Sequence, residues 1–219
     1  MGNSPPPQRP LDPPPKVFFV VERVHTLSLL KNFLFSLYFF YSLWYTFYMR
    51  YNYVNLYNKN ASFLEERPKV KKLLPIANTA LTYLFFIAYA LLFVYGATEG
   101  EFAPMDFVKV FCAPALALII VSVLRLAIDR PRPYAEDGAG IVPLKEKEGD
   151  KNSFPSRHLT SAAVIAAIFL PYLPTVSAGL FLLSFVLGYL RFALGWHYPS
   201  DLFIGFVLGL VVGIIPMFL

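Results

Sequence analysis

The sequence predicts an all-α, polytopic membrane protein, a bundle of six transmembrane helices, and three observations carry that prediction. Hydrophobic residues make up 57% of the 219 and charged residues only 15%, whereas a soluble domain carries about 25% charged residues. The apolar residues fall into runs of the length needed to cross about 30 Å of hydrocarbon. No strand pattern competes with these runs. The net charge of +5 resides in short loops between the runs, which suits lipid headgroups rather than nucleic acid. Membrane lipids are therefore expected partners and nucleic acid is not. Cys112, the single cysteine, can form no intramolecular disulfide. No Cys and His spacing suits a metal, so neither metal nor cofactor is expected.

The elements follow in order. Residues 1–16 form a Pro-rich tail, with seven prolines between Met1 and Pro15, a composition that builds no core and is expected to be disordered. Gly2 lacks the Ser or Thr that myristoylation wants, because Pro6 stands there. The tail also lacks a signal peptide's basic start and short apolar core, so the N-terminus is expected to be kept. Residues 17–219 make one domain. Val17–Leu30, with Glu22, Arg23 and a surface His25, reads as an amphipathic helix on the membrane. Asn32–Met49 is the first span, rich in aromatic residues including Trp44, followed by a polar, basic loop, Arg50–Lys72. Leu73–Tyr95 is the second span. An acidic connector around Glu99, Glu101 and Asp106 leads to the third, Phe107–Ile128, where Lys109 can snorkel to the interface. Asp129–Ser153 is the longest polar stretch inside the chain; Pro131 and Pro133 end the helix, and the mixed-charge run Lys145–Lys151 reads as a solvated loop. Leu159–Leu173 and Val176–Leu194 are the fourth and fifth spans, joined by a turn at Pro171 and Pro174. Leu202–Leu219 is the sixth.

Charge within this frame is sparse and concentrated. From Leu159 onward the only charged side chains are Arg191 and Asp201 and the only histidine is His197. An ionisable residue in a span costs about 2.5 to 3.5 kcal/mol of insertion free energy, so such a cluster marks a functional site by default. With alternating spans, the exit of the third helix, the start of the fourth and the loop between the fifth and sixth emerge on one face. That topology gathers Arg125, Arg132 and Pro133, then Pro155-Ser156-Arg157-His158, then Arg191, His197 and Asp201. Arg125 and Arg132 are two helical turns apart and offer guanidinium forks suited to phosphate oxygens. Pro155 suits the first turn of a helix whose open N–H groups at Ser156, Arg157 and His158 favour an anion. Asp201, four residues after His197, can hold one imidazole nitrogen protonated and leave the other free to attack.

These clusters resemble the three-part signature of the type 2 phosphatidic acid phosphatase family, which includes vanadium-dependent haloperoxidases. The family's Lys, six residues, Arg-Pro is matched by Arg125 and Arg132-Pro133. Its Pro-Ser-Gly-His is matched by Pro155-Ser156-Arg157-His158. Its Ser-Arg, five residues, His, three residues, Asp is matched by Leu190-Arg191, His197 and Asp201. Arg125 replaces a lysine, Leu190 a serine, and Arg157 a glycine. The last change adds a cation that either enlarges the anion site for a diphosphate or points into solvent.

The resemblance implies a six-helix membrane phosphatase domain acting on a lipid phosphate or diphosphate without metal. Phosphatidic acid, phosphatidylglycerol phosphate and undecaprenyl diphosphate are the implied substrate types. His197 would attack phosphorus to form a phosphohistidine and Asp201 would orient it. Arg125, Arg132 and Arg191, with Ser156 and the backbone near Arg157, would hold the oxygens, and His158 would protonate the leaving oxygen. A phosphotransferase, or a lipid-phosphate binder or transporter, is the alternative. The expected location is the cell membrane, with the site on the extracytoplasmic face as in bacterial relatives. The positive-inside tendency points the other way, since ten Lys and Arg outside the motifs lie on the catalytic face against four on the opposite one. The four precede the first helix, which usually dominates orientation.

Overall fold

The computed structural model describes residues 50–99, 102–135, 138–147, 149 and 151–217. The expected disordered tail, surface helix and first span lie outside these residues. Six helices are described: α1 Arg50–Glu65, α2 Pro68–Thr98, α3 Pro104–Ile128, α4 Arg157–Ile168, α5 Pro174–Ala193 and α6 Pro199–Met217. No strand occurs among the described residues. Four of the helices, α2, α3, α5 and α6, are long and apolar enough to cross a membrane, and all four open with proline, whose fixed φ and missing N–H suit the first helical position. Their outward faces carry exposed Ile87, Phe111, Ile119, Leu182, Phe185 and Phe203, side chains that water would disfavour and lipid accepts. The chain is a multi-pass membrane protein.

Two elements differ from the sequence reading. The stretch from Arg50, read as a loop, is helical, because Tyr53, Tyr57 and Leu64 recur at helical spacing and bury one face. Their Asn and charged neighbours mask that period in composition. The fourth span, read as Leu159–Leu173, is a helix of 12 residues, about 18 Å long and too short to cross hydrocarbon alone. It starts earlier, at Arg157, and gives way to turns at 169–172 before Pro174 opens α5.

Short α4 is the centre of the bundle. Every residue from Ala162 to Phe169 is buried, and α6 is the helix it packs against most extensively. The approach rests on glycines one turn apart in α6. A Cβ at Gly205 would lie 2.8 Å from the Ser156 carbonyl oxygen, at Gly209 2.3 Å from that of Thr160, and at Gly213 2.6 Å from the Ala167 methyl. Membrane helices associate closely through such small-residue seams. The seam brings the start of α4 to the start of α6, where the Ser156 N–H donates to the Asp201 carbonyl at 2.9 Å.

Candidate active site

Asp201 stands in the first turn of α6, fully buried. Such a carboxylate must be compensated. Arg130 donates to its Oδ1 at 2.5 Å and to the Ser200 hydroxyl at 2.8 Å. The Ser153 hydroxyl and the Tyr198 N–H donate to Oδ2, the latter at 3.0 Å. The Arg130 guanidinium carbon also lies over the Tyr198 ring, 3.9 Å from its centre. The carboxylate is thus fully engaged by a cation, a hydroxyl and an amide.

His197 precedes α6 in a turn made possible by Gly195, whose φ of +78° is left-handed. Its Nδ1 lies 3.0 Å from the Ser153 carbonyl oxygen and 3.6 Å from Asp201 Oδ2. A carbonyl only accepts, so Nδ1 carries the proton and Nε2 keeps its lone pair. The imidazole is therefore held by the Ser153 carbonyl, with the Asp201 carboxylate beside the same nitrogen at ion-pair distance and tied to Ser153 through its hydroxyl. Burial pushes the ring's pKa down to about 4, with Arg191 and Arg132 adding to the effect against Asp201. His197 is neutral at neutral pH.

Beside His197 lies a cavity of about 380 Å³. Arg125, Arg132, Lys147, Arg157, His158 and His197 line one part of it, and Phe85, Phe86, Leu118, Ile165 and Leu187 form apolar walls supplied by α2, α3, α4 and α5. No carboxylate among the described residues lines it. Arg125, near the end of α3, donates to the Pro155 carbonyl at 3.1 Å, and Arg132 to the Trp196 carbonyl at 3.3 Å. Arg191, in the last turn of α5, is buried with its guanidinium 5.9 Å from the Trp196 ring centre. None of these three forms an ion pair among the described residues. Buried guanidinium nitrogens on all three, and the Ser156 hydroxyl, have no hydrogen-bond partner. Burial pushes the Arg132 guanidinium below its ordinary range, and Arg157 adds to it. Buried, unpaired cations of one sign require an anion.

The start of α4 supplies the rest. Ser156 caps the helix without a side-chain bond, leaving its first turn open where the dipole favours negative charge. Pro155 precedes this cap and is joined to Phe154 by a cis bond, rather than occupying the first turn. The Ser156 N–H, expected among the open donors, is instead spent on Asp201. Arg157 and His158 both line the cavity.

All eight residues singled out in the sequence are thus brought to one end of the bundle, six of them as cavity wall or at the His197–Asp201 pair and two, Ser156 and Arg191, buried behind it. Three others join them that sequence reasoning passed over. Arg130 and Ser153 hold Asp201 and His197, and Lys147 lies in the run read as solvated loop. Arg130 adjoins Pro131-Arg132-Pro133, and that proximity to a motif was the only signal for it.

Fold and site together define a helical membrane protein built around a cavity lined by cationic side chains. The sequence profile of the PAP2 superfamily matches residues 106–217, and the chain belongs to that family. Among solved structures it is similar to Aquifex aeolicus LpxE, with 25% identity and a TM-score of 0.58 over 76% of this chain and 94% of that one. It also shares the fold of a transmembrane PAP2 type phosphatidylglycerolphosphate phosphatase from Bacillus subtilis, at 22% identity and a TM-score of 0.59 over 87% of this chain and 94% of that one.

Proposed function

We propose that this protein is a metal-independent lipid phosphatase working through a phosphohistidine. The observation that carries the reading is the cavity itself, which joins unpaired buried guanidinium groups and a neutral histidine to apolar walls. Family membership and the phosphatase activity named for the Bacillus subtilis relative support it.

In this mechanism His197 Nε2 forms an N–P bond as the bond from phosphorus to the lipid-side oxygen breaks. His158 gives that departing oxygen its proton. Water then attacks the phosphohistidine, losing a proton to His158, and orthophosphate leaves with the N–P bond broken. Arg125, Arg132 and Arg191, with Ser156 and the open first turn of α4, balance charge on the equatorial oxygens, a duty that Mg²⁺ performs in other phosphoryl-transfer enzymes. Asp201 acts through Ser153 and its own charge to stabilise the imidazole. Phosphatidic acid, phosphatidylglycerol phosphate and undecaprenyl diphosphate are the substrate types to which this applies. In this reading the site works on the extracytoplasmic face.

The test is phosphate release by detergent-purified protein from a panel of lipid monophosphates and diphosphates. Hydrolysis is expected to persist in excess EDTA and to be inhibited by vanadate, which adopts the trigonal-bipyramidal geometry of the transferring group. Loss on chelation with recovery in Mg²⁺ would refute metal independence. Tight binding with no release would favour a binder, and phosphate passed to an added lipid alcohol would favour a transferase.

A further inference from the structure

Lys147 belongs to none of the sequence motifs, yet it lines the same cavity as Arg125, Arg132, Arg157 and His197. It is put there by a loop fastened at several points. The Tyr57 hydroxyl donates to the Val142 carbonyl at 2.9 Å, the Trp196 indole N–H to the Lys145 carbonyl at 2.9 Å, and the Tyr134 hydroxyl to the Gly149 carbonyl at 2.6 Å. The Lys147 ammonium lies 4.6 Å from the centre of the Trp196 ring, one residue from His197. A solvated loop has no need of three side-chain anchors and an aromatic rest.

We propose that Lys147, together with Arg157, forms an outer anion subsite that holds a second phosphate group of the substrate, next to the phosphate presented to His197. This rests on the reading of the cavity as a lipid-phosphate site and narrows the substrate to a diphosphate. The transferring phosphate is served by Arg125, Arg132 and Arg191. Lys147 and Arg157 are cations beyond that complement, in a wall that holds no carboxylate among the described residues. A monophosphate leaves them unmatched, whereas a diphosphate brings the additional charge that compensates them.

The lysine also gives the subsite a pH dependence that an arginine would not. Burial, and then Arg132, Arg191, Arg125 and Arg157, lower the Lys147 pKa to about 7. Those arginines come from the α3–α4 loop, α5, α3 and α4, and the histidines sharing the cavity are His158 and His197; among the described residues no carboxylate lines it. In the empty site the ammonium is lost as pH rises through 7, so binding a second phosphate requires proton uptake above that pH and weakens.

The experiment uses full-length protein carrying Trp44→Phe, so that Trp196 is the sole tryptophan, and titrates its fluorescence with inorganic phosphate and inorganic diphosphate between pH 6 and 8.5. Diphosphate is expected to bind more tightly than phosphate. Lys147→Gln is expected to weaken diphosphate about 10- to 100-fold, the loss of one charge-assisted contact, and phosphate less than about threefold. Lys147→Arg is expected to restore diphosphate affinity and to flatten its fall above pH 7. Equal weakening of both anions without rescue by arginine would assign Lys147 a structural role and overturn the subsite. Unchanged affinities and pH profile in Lys147→Gln would overturn it as well. If neither anion bound the unsubstituted lysine protein, the lipid-phosphate reading of the cavity would fall, and the subsite with it.

Discussion

His197 and His158 face the same cavity but differ in how they are held, and the difference separates their expected roles. His197 is buried, with Nδ1 fixed by Ser153 and Nε2 available. His158 is in the open first turn of α4. His197→Ala is therefore expected to abolish phosphoenzyme, detected by acid-labile ³²P incorporation. His158→Ala is expected to slow turnover by roughly 10² to 10⁴-fold, the usual contribution of a general acid, while still forming phosphoenzyme from an activated phosphate. Near-normal turnover of His197→Ala would refute the nucleophile. Because the ring's pKa lies near 4, phosphoenzyme formation should keep its His197-dependent component down to well below pH 6 and lose it only as the ring protonates. Arg157, the residue that stands where the family has glycine, reaches the cavity. Arg157→Gly is expected to reduce diphosphate hydrolysis more than monophosphate hydrolysis, by about 10- to 100-fold for one charge-assisted contact; equal effects on the two would deny it a part in selectivity. His197 and Asp201 were legible because their relation is local, one helical turn apart. Arg130 and Ser153 were not, since Ser153 meets Asp201 across 48 residues of chain and Arg130 across 71, and nothing in a single sequence reports such a pairing.

At the scale of elements, the site depends on how closely α4 and α6 approach. The seam of Gly205, Gly209 and Gly213 sets that distance, and the bond from Ser156 to Asp201 ties the ends that carry His158 and His197. Gly209→Val places branched carbon where backbone already stands, since even a Cβ would meet the Thr160 carbonyl oxygen at 2.3 Å. Overpacking of this kind costs about 1–3 kcal/mol or more. The variant is expected to lower the melting temperature in detergent and to lose activity, whereas Gly179→Ala, with nothing within 4 Å of the added carbon, should do neither. A Gly209→Val protein as stable and active as the parent would show that the helices can separate without cost. The long apolar helices α2, α3, α5 and α6 were legible from hydropathy. The helical state of α1 was not, because Tyr53 and Tyr57 are set among asparagines and their buried face exists against distant residues such as Ile141, Phe192 and Tyr198.

At the scale of the whole molecule, the question is which side of the membrane the cavity serves. The loops that frame it, between α3 and α4 and between α5 and α6, lie at one end of the bundle, and the connector between α2 and α3 belongs to the other by alternation. Positive charge would place the basic, catalytic end inside the cell. Yet two of those ten charges have another explanation, since Arg130 compensates Asp201, and Lys147 lines the cavity. Charges recruited by a site are poor witnesses to topology, and removing them from the count weakens the cytoplasmic reading. Catalysis on the extracytoplasmic face is the expectation because the four basic residues of the opposite face precede the first helix, which usually dominates orientation. Lys151 and Glu99 are both exposed and lie at opposite ends. In a Cys112→Ser background, Lys151→Cys in intact cells should react with a membrane-impermeant maleimide, and Glu99→Cys should react only after permeabilisation. Labelling of position 99 but not 151 in intact cells would place the site in the cytoplasm and make the basic loops ordinary topology signals.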